Sequence, residues 1–275
     1  MKVFFFSDGS PNQVALAAKL SEIIKINTWI VYSPLQDNAM QKCIIRVKKL
    51  IRSIVWFSVE SSWIKLQKYY SGKIWEMLVK PTCVVQNIND DAVISLVRSE
   101  RPDLVMVSGT NLLKSSLITE IKIHGEIINL HTGLSPYVNG GPNCTNWCLY
   151  KRDIELIGVT VMFLNEGIDT GDVIASKAIS IKTVRTPLQL HLEIMNQAHE
   201  LLAQTIKLLI SGVKLESKVQ KDFEVKSVTY FRRDWSFWKA IIAYLNFYSL
   251  RYSIFTSRVN SKRRVKTVNL FEELD

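Results

Sequence analysis

Over its first 210 residues the chain alternates short apolar runs with helix-patterned stretches. That alternation restricts it to an α/β architecture: a mainly parallel sheet with helices on both faces. The runs Lys2–Phe6, Thr28–Ser33, Thr82–Gln86, Asp103–Gly109 and Glu126–His131 read as five strands, with two more over Gly158–Leu164 and Val173–Ile181. Helices are expected after Ser10, over residues 38–80, over Asp91–Ser99 and from Thr186 to about Ile210. At the last of these Thr186 caps the helix, Pro187 sits in its first turn and Gln189 closes a capping box.

After Ser211-Gly212 the pattern changes to aromatic and basic residues, read as a short strand, one amphipathic helix and a surface tail. With 275 residues and 47% hydrophobic content, the chain has room for one large domain over 1–212 and a small C-terminal extension over 213–275.

The net charge of +10 is concentrated. Residues 41–80 carry nine Lys/Arg against two acids, and residues 221–275 carry eleven against six. Basic segments flanking a near-neutral core suit a phosphate-bearing partner, although solvated helix faces account for either segment taken alone. Ser7 and Asp8 interrupt the first apolar run, so no secretory leader is expected, and Ala240–Leu250 is too short to span a bilayer. A cytoplasmic protein is the expectation. Cys43, Cys83, Cys144 and Cys148 form no disulfide framework. Cys144-x3-Cys148 near His131 is not the usual zinc spacing, and no metal is expected.

The stretch Asn129-Leu-His-Thr-Gly-Leu-Ser-Pro136 places two polar side chains at the end of an apolar strand. Residues two apart on a strand share a face, so Asn129 and His131 point the same way. A second polar concentration, with Glu166, Asp169 and Asp172, lies in a Gly-containing loop between two apolar strands. Such loops carry function in α/β proteins, yet Asp and Gly also form turns that have no catalytic role.

Asn-x-His, a following Leu-x-Pro turn and then Gly-Val-Thr-Val-x-x-Leu-x-x-Gly-Ile-Asp-Thr-Gly-Asp together resemble the folate-dependent formyltransferase family. The resemblance covers roughly residues 1–210 and is strongest over 103–180. It implies a Rossmann-like fold and a catalytic set of Asn129, His131 and Asp169. An amine would attack the formyl carbon of 10-formyltetrahydrofolate. Asn129 would donate to the oxygen that gains charge, and His131 would stabilise that charge and carry the amine proton. Asp169 would hold the imidazole and favour its charged form.

The resemblance further implies a pterin pocket from the loop after the fourth strand and the Asp loop, here Gly109, Thr110, Asn111, Leu112, Leu113, Ile168 and Asp172. Glycinamide ribonucleotide enzymes bind phosphate at a loop matching residues 7–13, which makes Ser10 and Asn12 candidate contacts.

The chain departs from the family at the turn after the histidine. The tRNA and ribonucleotide enzymes read His-Pro-Ser-Leu-Leu-Pro, whereas this chain has Thr132-Gly133-Leu134-Ser135-Pro136-Tyr137. That form looks more like formyltransferases of surface-polysaccharide amino sugars, with Thr132, Gly133 and Tyr137 shaping the acceptor pocket. A methionyl-tRNA enzyme should also carry a further β-barrel domain, and about sixty residues remain here after the catalytic segment.

The expected acceptor is therefore a nucleotide-linked amino sugar, with no nucleic-acid partner. The aromatic cluster around Trp235 and Trp238 would serve base stacking or a homodimer contact. Competing readings are methionyl-tRNA formylation, formyltetrahydrofolate hydrolysis and a catalytically inert scaffold. The last is disfavoured by the intact Asn129, His131 and Asp169.

Overall fold

The structure is a computed structural model, described over residues 1–33, 58–71, 79–141, 143–255 and 265–270. Its central sheet has seven strands in the order β3-β2-β1-β4-β5-β7-β8. These are β1 (Val3–Ser7), β2 (Thr28–Tyr32), β3 (Cys83–Val85), β4 (Leu104–Ser108), β5 (Glu126–His131), β7 (Gly158–Phe163) and β8 (Val173–Ala178). The first five run parallel; β7 is antiparallel to β5, and β8 to β7.

Alternation within each strand divides the core between the two faces. Val3 and Phe5 of β1 join one apolar cluster, and Phe4 and Phe6 join the other. In β4, Leu104 and Met106 separate from Val105 and Val107 in the same way. Strands buried on both faces must be apolar throughout, which is why the chain announces them as continuous runs. The second cluster is closed by α3 (Asp91–Glu100) and α4 (Ser115–Lys122). The first is closed by α1 (Pro11–Ser21), α2 (Val59–Ser71), α5 (Cys144–Lys151), α6 (Pro187–Ile210) and α7 (Phe237–Phe255). Of the helix expected over 38–80, α2 is the part within the described residues.

Thr186 Oγ1 accepts from Gln189 N–H at 3.1 Å, as a cap should. Gln189 reaches back to Arg185 N–H at 2.7 Å, one residue ahead of the cap. The reciprocal bond is thus shifted outward by one position from a regular capping box.

The loop after His131 contains a strand that the pattern did not foretell. Strand β6 (Val138–Gly140) pairs in parallel with β9 (Val228–Tyr230). This second sheet draws the C-terminal segment against the end of β5. Helix α7 then buries Ala240, Ala243, Phe247 and Leu250, spaced by three or four residues, in the larger cluster. Trp147 of α5 stacks on Tyr230 at 4.5 Å and meets Trp235 edge-on at 4.8 Å. Residues 213–255 thus share the core of the first 212.

Candidate active site

Strand β5 delivers Asn129 and His131 from one face at its C-terminal end, the usual position for sites in parallel sheets. The loop after β7 turns back to them and places Asp169 between the two. Asn129 Nδ2 donates to Asp169 Oδ1 at 3.2 Å, and Asp169 Oδ2 lies 3.3 Å from His131 Nδ1. Gly140 N–H, on β6, donates to the same Oδ2 at 2.8 Å. The carboxylate therefore ties together β5, β6 and its own loop.

Asp169 has a left-handed backbone, φ 54°, which Asp adopts more readily than most side chains. Two clamps hold this conformation. Thr170 Oγ1 donates to Asn165 Oδ1 at 2.7 Å, and Gln220 Nε2 donates to the carbonyls of Asp169 and Gly171 at 2.8 and 2.7 Å. Gln220 lies in the C-terminal segment. Replacing it with alanine removes two hydrogen bonds, and turnover is expected to fall about tenfold with little change in melting temperature, as stopped-assay kinetics and a thermal melt would show.

His131 has acceptors at both ring nitrogens. Beyond Asp169, its Nε2 faces the Val138 carbonyl at 3.2 Å, and Cys144 Sγ is 3.6 Å away. Cys144 itself donates to Gly140 carbonyl at 3.3 Å, and burial pushes its thiol well above the usual range. Burial does the same to Cys148, which donates to Leu156 carbonyl. Both thiols are buried donors on α5, and among the described residues no group of three or more His, Cys, Asp and Glu is placed to hold a metal ion. No helix of the described residues is long and apolar enough to cross a membrane.

The three side chains open into a cavity of about 780 Å³, within the range of small-molecule sites. Gly109, Thr110, Asn111, Leu112, Leu113 and Ile168 line it, as do Ser10, Asn12 and Thr132. A side chain at Gly109, φ 67°, would meet the Gln13 amide. Leu113 also belongs to the second apolar cluster, and Leu112 is exposed.

Three of the expected residues lie elsewhere. Tyr137 is buried, and its hydroxyl accepts from Lys266 N–H at 2.8 Å, so it braces the C-terminal segment. Gly133 packs against the His131 ring behind the cavity wall. Asp172 is outside the lining, and its carbonyl accepts from Phe163 N–H at 3.0 Å. The loop over residues 7–13 also differs from a phosphate seat. Asp8 Oδ1 takes both Ser10 N–H and Oγ–H, at 3.0 and 2.6 Å, and Asn12 Oδ1 accepts from Gln67 at 2.8 Å. Burial raises the Asp8 carboxyl above its usual range, with the Ser10 bonds opposing that rise. Asp8 thus places a carboxyl group in the cavity lining beside Ser10 and Asn12.

Much of the wall was not singled out beforehand. Helix α2 contributes Trp63, α5 contributes Asn146, and α6 contributes His191 and Met195. The C-terminal segment adds Tyr230, Phe231, Arg232 and Trp235, with Trp235 Nε1 donating to Glu60 Oε1 at 3.2 Å. Trp235 belongs to the aromatic cluster expected to stack a base, and the aromatic and basic composition after Gly212 is the signal for the other three. His191 and Trp63 look like ordinary helix residues.

The sequence profile described as formyl transferase matches residues 39–206. The chain is 32% identical over 126 residues to a methionyl-tRNA formyltransferase of Geobacter sulfurreducens, which is 46% of this chain and 38% of that protein. The match thus spans less than half the length of that curated relative. Among solved structures, a sugar N-formyltransferase from a Shewanella species aligns with 90% of this chain and 87% of its own, at TM-score 0.54 and 16% identity. A 4-N formyltransferase from Francisella tularensis gives TM-score 0.55 at 15% identity, over 90% of this chain and 87% of its own. At such identities these two likenesses speak for the fold alone. The profile, however, spans more than half of the chain, and the protein belongs to the formyl transferase family.

Proposed function

We propose that this protein is a cytoplasmic N-formyltransferase that moves the formyl group of 10-formyltetrahydrofolate to the amine of a nucleotide-linked amino sugar used in surface-polysaccharide synthesis. The observation that carries the chemistry is the single carboxylate of Asp169 bonded to both Asn129 and His131 at the cavity wall. The donor brings an activated formyl group. Asn129 offers an amide N–H to the formyl oxygen, and a preorganised donor of this kind contributes about 3–4 kcal/mol. His131, oriented by Asp169, takes the proton released by the attacking amine and delivers it to the folate nitrogen as the bond between that nitrogen and the formyl carbon breaks.

The donor wall would be Gly109–Leu113 with Met162, Leu164 and Ile168, which offer backbone groups and an apolar face suited to a flat ring. Thr110 Oγ1 and Gln13 Oε1, buried without partners among the described residues, fit a polar ring edge on that side.

The acceptor wall would be Trp63, Tyr230, Phe231, Arg232 and Trp235. Aromatic faces suit a base or sugar ring, and Arg232 suits a diphosphate, being the one Lys or Arg among the described lining residues. Arg232→Gln is expected to raise KM for the acceptor about tenfold while kcat holds, which steady-state kinetics would show.

The test is an acceptor panel of nucleotide-linked 3- and 4-amino sugars with 10-formyltetrahydrofolate, following loss of the donor. Turnover of a sugar supports the reading; turnover only with charged initiator tRNA sinks it. The tRNA reading is the second one, favoured by the methionyl-tRNA formyltransferases among the sequence relatives. It requires binding that weakens steeply with salt.

A further inference from the structure

Besides Thr110 Oγ1 and Gln13 Oε1 on the donor side, two buried polar atoms of residues that line the cavity have no partner among the described residues and lie outside the Asn129, His131 and Asp169 set. They are His191 Nε2 on α6 and Asn146 Oδ1 on α5. Their side chains are 1% and 5% exposed. Buried donors and acceptors are nearly always paired in folded proteins, so two orphans on residues that line one cavity point to a ligand.

The neighbouring bonds reveal what each atom offers. Asn143, at the N-terminal cap of α5, accepts Asn146 N–H through its Oδ1 at 3.3 Å. This turns its Nδ2 toward His191 Nδ1, also 3.3 Å away. Asn143 Nδ2 carries only hydrogens, so His191 Nδ1 must accept. The single hydrogen of the neutral ring then sits on Nε2. Burial keeps that ring neutral by lowering its pKa to about 4, and the edge of Trp63 packs against it at 5.9 Å. His191 thus presents a donor to the cavity and Asn146 presents an acceptor.

We infer that Asn143, Asn146 and His191 form a hydroxyl-reading subsite, in which a sugar hydroxyl accepts from His191 Nε2–H and donates to Asn146 Oδ1. The trio is uncharged. A phosphate or carboxylate would face an amide oxygen with no cation in the trio to balance it, and an ammonium group would face the imidazole N–H. A hydroxyl both donates and accepts, and it is the group that suits both orphans. Asn143 acts as a positioning residue, since it fixes which ring nitrogen of His191 carries the hydrogen. The inference rests on the amino-sugar reading for the molecule that bears the hydroxyl, and it assigns the subsite a role in choosing among sugars.

Two measurements test it. The first compares kcat/KM for an accepted nucleotide-linked amino sugar and its single-deoxy analogues, in the wild-type protein and in Asn146→Leu and His191→Phe. The wild type should disfavour one deoxy analogue by about tenfold or more, and in both variants the ratio of the two kcat/KM values should fall towards one. Equal losses on both substrates, or a wild type indifferent to every hydroxyl, overturn the inference.

The second needs no turnover. In protein carrying nitrogen-labelled histidine, the His191 Nε2 resonance should shift with glucosamine and stay in place with cyclohexylamine. If the two amines act alike, the subsite is refuted, whichever acceptor the enzyme proves to use. If glucosamine alone shifts the resonance while no nucleotide-linked sugar is formylated, the subsite stands and the proposed acceptor falls.

Discussion

His131→Asn is expected to lower kcat by a hundredfold to ten-thousandfold, the usual range of about 10²–10⁴ for a lost general acid–base group. The fold should survive. Residue 131 is the last residue of β5, and the strands around it are held by Ile127, Ile128 and Leu130 in the two apolar clusters. Asparagine keeps a hydrogen-bonding group near Asp169, so the Asp loop retains its anchors to Asn129, Gly140 and Gln220. Donor and acceptor affinities, measured by calorimetry, should stay within a few-fold. A variant that turns over at the wild-type rate would show that the histidine moves no proton.

The second large effect is expected at Gly133. A Cβ built there overlaps His131 Nε2 and comes within 2.9 Å of both His131 Cδ2 and Val138 O. The ring has acceptors at both nitrogens, and Val138 belongs to the β6–β9 pair, so neither neighbour yields freely. Gly133→Ala should therefore displace the imidazole from Asp169. Overpacking of this kind costs about 1–3 kcal/mol, seen as a lower midpoint in denaturant. Turnover should fall well beyond that, by about a hundredfold, if the ring leaves its carboxylate. The sequence pattern His-Pro-Ser has a side chain at this position, and the Thr-Gly form here removes it. That difference is a steric one, felt first by the histidine, and Gly133 lies behind the cavity wall rather than against the acceptor.

The sheet was legible because the parallel strands inside it, all but the edge strand β3, are buried on both faces and so appear as apolar runs. Asn129 and His131 stood out against such a run. Asp169 did not stand out from spacing alone, since Asp and Gly also make plain turns; the family resemblance singled it out, and the structure places it against both partners. What the sequence concealed is non-local. Strand β6 is three residues long and carries no pattern of its own, and its pairing with β9, which lies in the segment where a short strand was expected, spans almost ninety residues of chain.

Tyr137, expected in the acceptor pocket, is instead buried, its hydroxyl accepting from Lys266 N–H, a partner 129 residues away. His191 and Trp63 sit on the inner faces of helices, where residues facing a cavity and residues facing the core obey one periodicity. The loop at Ser10 shows the converse, because its donors are taken by Asp8, a neighbour two residues away.

The central claim is that Asn129, His131 and Asp169 pass a formyl group to an amine. An isotope-labelled formyl group on 10-formyltetrahydrofolate, followed by NMR in the presence of the accepted amino sugar, tests it most directly. The wild-type protein should give a formamide signal on the sugar, lost in His131→Asn. Label that appears only as formate, or that stays on the folate with every amine offered, would contradict it.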